Sequence, residues 1–578
     1  MTYREQYEAW LRDFADDTAT VEELKALEGN EKEIEDRFYT ELSFGTAGMR
    51  GVLGAGTNRM NLYNVRRATK GFADYINSQD PEYAKRGVVI AYDSRRMSPE
   101  FAKAAALVLC NEGINVCLFD ELRPVPVLSY AVRHLHAIAG IVITASHNPP
   151  QYNGYKVYWE DGAQMPPEYA DQVLKMIRAC KYQDAVEMDE AKALESGLLK
   201  IIGKKEIDDD YIADVKTLSV QPELMKTAGK ELKIVYTPLH GSGNKPVRRI
   251  LAEIGIENVY IVKEQELPDP NFSTIKVPNP EDPAAFELAI KLAKEVGADI
   301  ILATDPDADR LGVYALDTKS GEYVPFTGNM SGMLIAEYLL REKKATGTMP
   351  ANPALVKTIV TTNMSDVITK AYDVKQIEVL TGFKYIGEQI KWFEENNTYN
   401  YVFGLEESYG CLAGTHARDK DAIVAVMCLC EVAAYCKKNG ITLWDQMLKV
   451  YEEYGYFKEG LHTITMKGVT GAQAIKDIMA ALRKDPMKEL AGLKVLAVRD
   501  YDTNVVTDMV TGEKSETGLP KSNVLYFDLE NDSWCCARPS GTEPKIKFYM
   551  GIKGDSLADA DAKLEALKEA LVAAIPEV

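Results

Sequence analysis

The sequence predicts an α/β protein with three similar α/β domains in series, mixed and mostly parallel sheets, and a smaller C-terminal α+β domain. Apolar runs of strand length alternate with amphipathic segments of helix length along most of the 578 residues. That alternation is typical of layered α/β folds. A strand that ends in a polar loop recurs in three successive units. After about Tyr454 the pattern becomes mixed, which indicates a last domain of a different kind.

The elements follow from these patterns in chain order. The first forty residues are predicted to be helical, and Thr20 with Glu23 fits a capping box at a helix start. Strands are predicted in pairs at 87–93 and 141–144, 232–237 and 299–303, and 356–361 and 401–403, then at 545–550, and a last helix at 558–574.

These units set the expected domains. We expect boundaries that give domains 1–205, 206–322, 323–453 and 454–578. Ligands of open α/β sheets bind beyond the carboxyl ends of the strands. Three such units can therefore direct their loops into one central cleft.

Composition excludes some classes of protein. With 46% hydrophobic and 27% charged residues the chain is an ordinary globular protein, and its net charge of −20 argues against general binding to nucleic acid or anionic membrane. A small anionic substrate stays compatible with that charge. The most apolar helical stretch, 422–436, is interrupted by Glu431 and too short to span a bilayer.

The termini and cysteines indicate a location. The N-terminal residues lack the apolar segment of a signal peptide, and nine cysteines show no paired spacing. We therefore expect a cytoplasmic protein with reduced, mostly buried thiols. Oligomeric state leaves no pattern in the sequence.

An aspartate loop follows the apolar strand at 299–303. Asp305, Asp307 and Asp309 alternate, so an extended backbone would place their carboxylates on one side, as a Mg²⁺ site requires. An EF-hand is excluded because Arg310 and Leu316 stand where that loop needs glycine and glutamate. A solvated acidic turn is the alternative, and the apolar residues on both sides disfavour it.

A serine loop ends the strand at 141–144. Ser146 is a candidate nucleophile, although a serine hydroxyl needs activation. Neighbouring side chains on a strand point to opposite faces, so we expect His147 to point away from the serine and to contact phosphate or sugar. The residues also fit a structural turn equally well, and no G-x-S-x-G elbow supports a hydrolase.

A third loop has the composition of an anion site. Arg538 can bind phosphate through two parallel hydrogen bonds. Ser540 and Thr542 supply hydroxyl donors, Gly541 lets backbone N–H groups approach an anion, and Lys545 adds charge. A plain turn is the weaker interpretation.

Two further stretches carry weaker signals. Glu406 and Ser408 alternate in a short loop, which suits contacts to vicinal sugar hydroxyls but also a surface turn. Lys420 could act as a general acid or base if a closed cleft lowered its pKa. Alternatively, the charges around it are an ordinary helix start with Asp419 as the cap.

Together, a hydroxyl, three carboxylates and an anion site indicate phosphoryl transfer on a small phosphorylated substrate. Nucleotide binding is not indicated. Gly241-Ser242-Gly243 has Pro246 where a dinucleotide fingerprint needs its third glycine, and no P-loop motif occurs.

The chain resembles the α-D-phosphohexomutase superfamily over nearly its whole length. The resemblance rests on Gly45-Thr46-Ala47-Gly48-Met49-Arg50-Gly51 and on the Ser146, Asp305, Glu406 and Arg538 loops, in that order. T-P-L-H-G at 237–241, T-G-F-K-Y-I-G at 381–387 and D-P-D-A-D-R at 305–310 are most similar to the phosphoglucomutase/phosphopentomutase branch. Pro306 and Ala308 stand where many relatives carry glycine.

The resemblance implies four domains around a cleft that the last domain closes. It implies that Ser146 carries a phosphoryl group and that Mg²⁺ is held by a phosphoserine oxygen with Asp305, Asp307 and Asp309. The transferring group would be surrounded by Arg50, His147, Arg310 and Lys420, with Lys420 as a proton shuttle. The substrate would contact Thr46, Gly48, Thr381, Gly382, Glu406, Ser408, Arg538, Ser540, Gly541, Thr542 and Lys545.

The implied reaction interconverts glucose 1-phosphate and glucose 6-phosphate through a phosphoserine and a bisphosphorylated sugar. Mg²⁺ and glucose 1,6-bisphosphate are the expected cofactors, and small phosphorylated sugars the expected partners. Pentose and mannose phosphates remain alternative substrates. More distant alternatives are a Mg²⁺-dependent phosphatase with an aspartate nucleophile, which leaves Ser146 without a role, and a non-catalytic sugar-phosphate sensor.

Overall fold

Three short helices begin the fold. The computed structural model describes residues 2–45, 48–466, 468–540 and 545–575. The helices are α1 (Tyr3–Asp13), α2 (Thr18–Lys25) and α3 (Glu31–Phe38). Asp17, not Thr20, caps α2, and its carboxylate accepts bonds from the Thr20 N–H at 3.2 Å and hydroxyl at 2.7 Å. The predicted Thr20 cap is wrong because the helix begins at Thr18, three residues earlier than a cap at Thr20 would place it, and Asp17 provides the acceptor.

The first α/β unit contains a six-stranded sheet in the order β1-β5-β4-β2-β3-β6. Strands β2, β3, β4 and β6 are parallel, and β5 runs antiparallel between β4 and β1. The elements are β1 (Met49–Val52), α4 (Leu62–Gln79), α5 (Pro81–Arg86), β2 (Val88–Tyr92), α6 (Ser98–Asn111), β3 (Val116–Phe119), α7 (Val125–His134), β4 (Ala139–Ile143), β5 (Tyr152–Trp159), α8 (Pro167–Ala179), α9 (Glu190–Glu195) and β6 (Leu199–Ile202).

The second unit contains a five-stranded sheet in the order β11-β10-β9-β7-β8. Its elements are α10 (Asp209–Lys216), α11 (Pro222–Met225), α12 (Ala228–Glu231), β7 (Lys233–Thr237), α13 (Asn244–Glu253), β8 (Asn258–Ile261), α14 (Lys263–Glu266), α15 (Glu287–Val296), β9 (Ile300–Thr304), β10 (Leu311–Asp317) and β11 (Glu322–Phe326).

The third unit contains a four-stranded sheet in the order β13-β12-β14-β15. Its elements are α16 (Gly328–Thr346), β12 (Pro353–Thr358), α17 (Met364–Ala371), β13 (Lys375–Val379), α18 (Phe383–Asn396), β14 (Asn400–Glu406), β15 (Gly410–Ala413), α19 (Ala422–Lys438) and α20 (Leu443–Tyr454).

The three α/β units share one topology, as the repeated pattern predicts. The paths β3-β2-β4-β5, β8-β7-β9-β10 and β13-β12-β14-β15 each consist of three parallel strands and one antiparallel neighbour. The turn before that antiparallel strand holds Ser146 in the first unit, the aspartates in the second and Ser408 in the third. Each turn contains one non-glycine residue with left-handed backbone, namely Ser146, Ala308 or Tyr409. The repeat therefore gives three chemically different loops equivalent positions.

The C-terminal unit is an antiparallel sheet covered by two helices, which confirms the predicted α+β class. The sheet has eight strands. The elements are β16 (Tyr456–Thr465), α21 (Gly468–Lys484), β17 (Glu489–Leu490), β18 (Leu493–Asp500), β19 (Val505–Asp508), β20 (Lys514–Glu516), β21 (Leu525–Leu529), β22 (Trp534–Pro539), β23 (Lys545–Gly554) and α22 (Leu557–Ala574).

The α/β units share a continuous core. One hydrophobic cluster runs from Val89 in the first sheet to Phe457 at the start of β16, and the C-terminal sheet and its helices have a cluster of their own. Because the first cluster crosses the expected boundaries at 205, 322 and 453, those boundaries stay predictions. All nine cysteines are free, with Cys117 half-buried and the others buried. Within the described residues no helix combines the length and apolar character needed to cross a membrane.

Candidate active site

A cavity of about 530 Å³ lies where the four units meet. The N-terminal unit contributes the Ser146 turn, the second unit the aspartate turn, the third unit the Glu406 turn, and the C-terminal unit the end of β22. Predicted site residues that line the cavity are Arg50, Ser146, His147, Asp309, Arg310, Thr381, Gly382, Glu406, Ser408, Lys420 and Arg538. The structure therefore brings together side chains that are hundreds of residues apart in sequence.

Ser146 lies in the turn between β4 and β5. Its φ is 51°, and its N–H donates to Thr144 Oγ1 at 2.9 Å. The Ser146 hydroxyl donates to Asp305 Oδ2 at 2.9 Å, so the serine and the aspartate turn touch directly. His147 Nδ1 lies 3.2 Å from the same hydroxyl. The prediction that His147 points away from the serine is wrong, because the strand ends at Ile143 and alternation does not apply in a left-handed turn.

The three aspartates converge through a tight turn rather than an extended strand. Ala308 has φ 47°, a left-handed conformation that favours glycine. Each aspartate offers one oxygen within 4.8 Å of the others, and all three residues are buried. Asp307 Oδ1 and Asp309 Oδ1 have no hydrogen-bond partner within the described residues. Unsatisfied, clustered carboxylate oxygens are the ligands that Mg²⁺ takes, so the turn fits a divalent cation.

The positive charge of Lys156 compensates part of the negative charge of the buried aspartates. Lys156 Nζ lies 2.7 Å from Asp307 Oδ2 and 3.8 Å from Asp309 Oδ2. Burial raises the pKa of the Asp307 carboxyl, but the charge and hydrogen bond of Lys156, a hydrogen bond with Asp305 and the Lys420 charge together hold that pKa below the usual value. Burial instead dominates at Asp305 and Asp309, whose pKa values are raised.

Lys420 forms ion pairs with Asp309 at 3.1 Å and with Asp419 at 2.9 Å. Burial opposes its charge, but the Asp309 and Asp419 carboxylates raise the pKa of Lys420 above the usual value. The lowered pKa that a role as base would require is absent at this lysine in the described structure. The alternative of Asp419 as helix cap is also wrong, because Asp421 caps α19 through the N–H groups of residues 423 and 424.

Three basic side chains lie around the serine turn, namely His147, Arg310 and Arg50. Burial and then the Arg310 and Arg50 charges place the pKa of His147 well below its ordinary value, so the imidazole is neutral at pH 7. Arg310 donates to Glu281 Oε1 at 2.7 Å. Arg50 donates to Asn148 Oδ1 at 3.2 Å, beside the serine turn. A neutral acceptor and fixed cations therefore surround the Ser146 hydroxyl.

The third unit contributes polar groups to the wall of the cavity. Glu406 ends β14, and burial raises its pKa. Thr381 Oγ1 is buried and has no hydrogen-bond partner in the part of the chain that the structure describes. A Cβ on Gly410 would lie 2.0 Å from Lys420 Cδ, so this glycine makes room for the lysine. The wall offers hydrogen-bonding groups suited to a polyhydroxylated ligand.

The C-terminal loop is partly described. Arg538 lines the cavity beside Lys547, its cross-strand neighbour on β23. Ser540 and Lys545, both within the described residues, lie at the base of the loop, where the Ser540 N–H donates to the Lys545 carbonyl at 2.8 Å. Neither is among the residues that line the cavity. The predictions for Gly541 and Thr542 fall outside the described residues.

The glycine-rich segment before β1 is also described in part. Thr46 falls outside the described residues. Gly48 has φ 75°, and a Cβ there would lie 1.8 Å from the Tyr155 carbonyl oxygen. Gly48 therefore permits the close approach of two backbone segments, which is a structural reason for glycine at that position.

Sequence reasoning missed several residues of the cavity. Lys156, Glu281, Glu407 and Lys547 all line it, and Lys156 contacts the aspartates directly. Lys156 had a recognisable signal, because it is a lone lysine inside the apolar strand Tyr152–Trp159. The other three stand among ordinary polar residues, and no sequence pattern distinguishes them.

Known families match most of the chain. Residues 41–184, 209–318 and 327–454 match the α/β/α domains I, II and III of phosphoglucomutase/phosphomannomutase. The chain is 38% identical over 527 residues to a phosphoglucomutase of Staphylococcus epidermidis, an alignment that covers 91% of this chain and 93% of the relative. It is 35% identical over 546 residues to a phosphoglucomutase of Staphylococcus aureus, covering 94% and 96%.

Solved structures share the fold. A putative phosphomannomutase from Thermus thermophilus aligns with a TM-score of 0.67 and 22% identity, over 92% of this chain and 99% of that one. Parafusin from Paramecium, a phosphoglucomutase in an open form, aligns with a TM-score of 0.65 and 18% identity, over 92% and 95%. The chain belongs to the phosphoglucomutase/phosphomannomutase family, as the resemblance predicts. It is accordingly an enzyme, an isomerase of the phosphotransferase type.

Proposed function

We propose that this protein interconverts glucose 1-phosphate and glucose 6-phosphate by means of a phosphoserine at Ser146. The observation that carries the proposal is the 2.9 Å contact between the Ser146 hydroxyl and Asp305, in a cavity lined by all four units. Relatives named phosphoglucomutase over more than 90% of the chain support glucose phosphates as substrates. Small phosphorylated sugars are therefore the partners proposed for the cavity.

A divalent cation belongs to this proposal. Asp305, Asp307 and Asp309 would hold Mg²⁺ together with an oxygen of phosphorylated Ser146, which fits their two unsatisfied oxygens. When bound, Mg²⁺ supplies positive charge that stabilises a transferring phosphoryl group. Glucose 1,6-bisphosphate is the proposed activator, since a bisphosphorylated sugar restores phosphate to the serine.

Side chains of the protein do the positioning around Ser146. Neutral His147, 3.2 Å from the hydroxyl, can hold its proton when the phosphoryl group is returned to the serine. Arg50, Arg310 and Lys156 line the same cavity, and their fixed positive charge would lower the cost of negative charge on the moving phosphoryl group. In the same step, protonated Lys420 can donate a proton to the sugar oxygen from which the phosphoryl group departs.

The far wall would hold the sugar. Glu406 and Ser408 suit hydrogen bonds to sugar hydroxyls, and Thr381 Oγ1 has a free hydrogen-bonding capacity within the described residues. Arg538 would bind the phosphate that is not transferred, with Ser540, Gly541, Thr542 and Lys545 around it. Gly48, Gly382 and Thr46 would contribute backbone and side-chain contacts. Exclusion of water from the loaded site would protect the phosphoserine from hydrolysis.

A cytoplasmic location completes the proposal. All nine cysteines are free thiols, and such thiols persist in reducing compartments.

Substitution of the serine tests the proposal. We expect Ser146→Ala to lower the rate of glucose 1-phosphate isomerisation at least about 10⁴-fold, because the proposed carrier of the phosphoryl group is lost. The assay contains Mg²⁺ and glucose 1,6-bisphosphate, and mass spectrometry of the purified protein locates phosphate on Ser146. Ser331→Ala is the matched control, since that buried hydroxyl has no hydrogen-bond partner in the described chain.

Retained isomerisation by Ser146→Ala would contradict the proposal and favour an aspartate nucleophile. Binding of glucose 1-phosphate by the wild-type protein without any turnover would favour a sensor. A panel of glucose, mannose, ribose and deoxyribose 1-phosphates then ranks the substrates by kcat/KM, and a preference for a pentose would overturn the proposed substrate.

A further inference from the structure

Arg95 is bound to the back of the Ser146 loop. It follows β2 in the first unit and is 1% exposed. Its guanidinium donates to four backbone carbonyls of one loop. These are Ser146 at 2.5 Å, Asn148 at 2.5 Å, Pro149 at 2.9 Å and Tyr152 at 3.1 Å.

Four carbonyl oxygens that point at one position repel each other unless a cation lies between them. The planar guanidinium has donors in a fixed fork, which matches several acceptors at once, whereas a lysine ammonium has fewer donors around a single point. The loop between β4 and β5 therefore takes its path around the Arg95 side chain. Loss of the fork would leave buried carbonyls unsatisfied, which native structures avoid.

The backbone N–H of Ser146 is connected to Asp93, the neighbour of Arg95, through the Thr144 hydroxyl. The Asp93 carboxylate accepts hydrogen bonds from the backbone N–H of Arg95 at 2.9 Å and from the Thr144 hydroxyl at 2.7 Å. Thr144 Oγ1 in turn accepts from the backbone N–H of Ser146. Asp93 and Arg95 therefore hold both the N–H and the carbonyl of Ser146. That residue has φ 51°, a conformation that non-glycine residues adopt only when their surroundings impose it.

Arg95 does not touch the space where a substrate would bind. It is not among the residues that line the active-site cavity, and it lines a separate groove with Ser94 and Arg96. The Arg95 guanidinium carbon lies over the ring of Phe272 in the second unit, 5.0 Å from the ring centroid, in a cation–π contact. Arg95 thus joins the serine loop to the unit that carries the aspartates.

We propose that Arg95 is a positioning residue for phosphoryl transfer, which sets the left-handed conformation that directs the Ser146 hydroxyl at Asp305. The inference rests on the proposed function, because it takes Ser146 as the phosphoryl carrier. A residue that only aligns the reacting atom affects turnover and leaves substrate affinity nearly unchanged.

Arg95→Lys tests the inference because it keeps the charge and removes the fork. We expect kcat for glucose 1-phosphate to fall about 100-fold, with KM changed less than about threefold. Phe272→Leu keeps every charge and loosens the packing, and we expect a fall in kcat of about 3-fold to 10-fold. Amide hydrogen exchange should accelerate in residues 144–154 of Arg95→Lys and stay unchanged elsewhere.

Arg67→Lys is the matched control. Arg67 also donates to a backbone carbonyl, that of Cys180 at 2.9 Å, and pairs with Glu41 in the same unit. We expect its kcat and exchange in residues 144–154 to match wild type.

The inference is overturned if Arg95→Lys keeps wild-type kcat, if its KM rises as much as its kcat falls, or if exchange in 144–154 is unchanged. Equal losses in Arg95→Lys and Arg67→Lys would also overturn it. Absence of turnover in the wild-type protein would instead contradict the proposed function. In that case the exchange measurement alone decides whether Arg95 fixes the loop.

Discussion

Lys156 carries much of the charge balance of the site. Its side chain is 6% exposed and contacts two of the three aspartates. A buried carboxylate without a partner is costly, so removal of one member of such a group destabilises the fold strongly. Mg²⁺ in the aspartate turn would neutralise the same oxygens.

Lys156→Met should therefore lower stability in a metal-dependent way. We expect the free energy of unfolding to fall by about 3–5 kcal/mol in EDTA and by clearly less in excess Mg²⁺, because the cation replaces the lost ammonium. Urea unfolding of wild type and variant in both solutions measures the difference.

Lys357→Met is the control for this experiment. Lys357 is a second buried lysine, and it pairs with Asp366 at 3.0 Å and Glu378 at 3.4 Å, away from the aspartate turn. Its loss should cost the same with and without Mg²⁺. An identical Mg²⁺ response in both variants would refute the assignment of the metal site.

At the scale of elements, the turn between β14 and β15 contains a second carboxyl beside Glu406. Burial, and then the Glu406 charge, raise the pKa of Glu407 from 4.5 to about 7. Its Oε2 accepts from the Thr358 hydroxyl at 3.2 Å. Because the folded pKa lies above the unfolded value, the folded state favours the protonated form. The stability that this group contributes is complete below about pH 4 and is lost as pH rises to about 7.

Glu407→Gln should remove that loss. We expect the fall in unfolding free energy between about pH 5 and about pH 8 to be smaller in the variant by about 1–3 kcal/mol. Urea unfolding at the two pH values measures it. Glu264→Gln changes an exposed carboxylate of α14 and should leave the pH dependence as in wild type. Parallel pH profiles of Glu407→Gln and wild type would disprove the assignment.

At the scale of the whole molecule, one cavity depends on four sheets. The C-terminal unit contributes Arg538 and Lys547, while the serine, the aspartates and the Glu406 turn come from the other three units. The chain carries a net charge of −20, so cations inside the cavity provide the local attraction for a phosphorylated sugar.

Arg538→Gln should weaken substrate binding. We expect kcat/KM for glucose 1-phosphate to fall about 10-fold to 100-fold, mainly through KM, since a charge-assisted hydrogen bond to phosphate is lost. Steady-state kinetics measure both constants. Lys514→Gln removes an exposed charge from β20 of the same unit and should have no effect. A normal KM in Arg538→Gln would exclude the proposed phosphate contact.

The architecture and the types of functional residue could be predicted from the sequence, but the orientation and protonation of individual side chains could not. The three α/β units, the α+β class of the last domain and the aspartate triplet follow from alternation, composition and spacing. The orientation of His147 did not, because it depends on a left-handed turn at Ser146 that the sequence pattern does not reveal. The raised pKa of Lys420 did not either, since Asp309 lies 111 residues away in sequence and becomes its partner only in the fold.

The equivalence of the three turns bears on how substrate preference can diverge. Each turn supplies one chemical part, and the repeated strand topology directs all three toward the same cavity. Under the proposed function, replacements in the Glu406 turn would change the contacts to the sugar while Ser146 and the three aspartates stay on turns of their own. Such an arrangement would allow specificity for the sugar to change through local replacements on an unchanged fold.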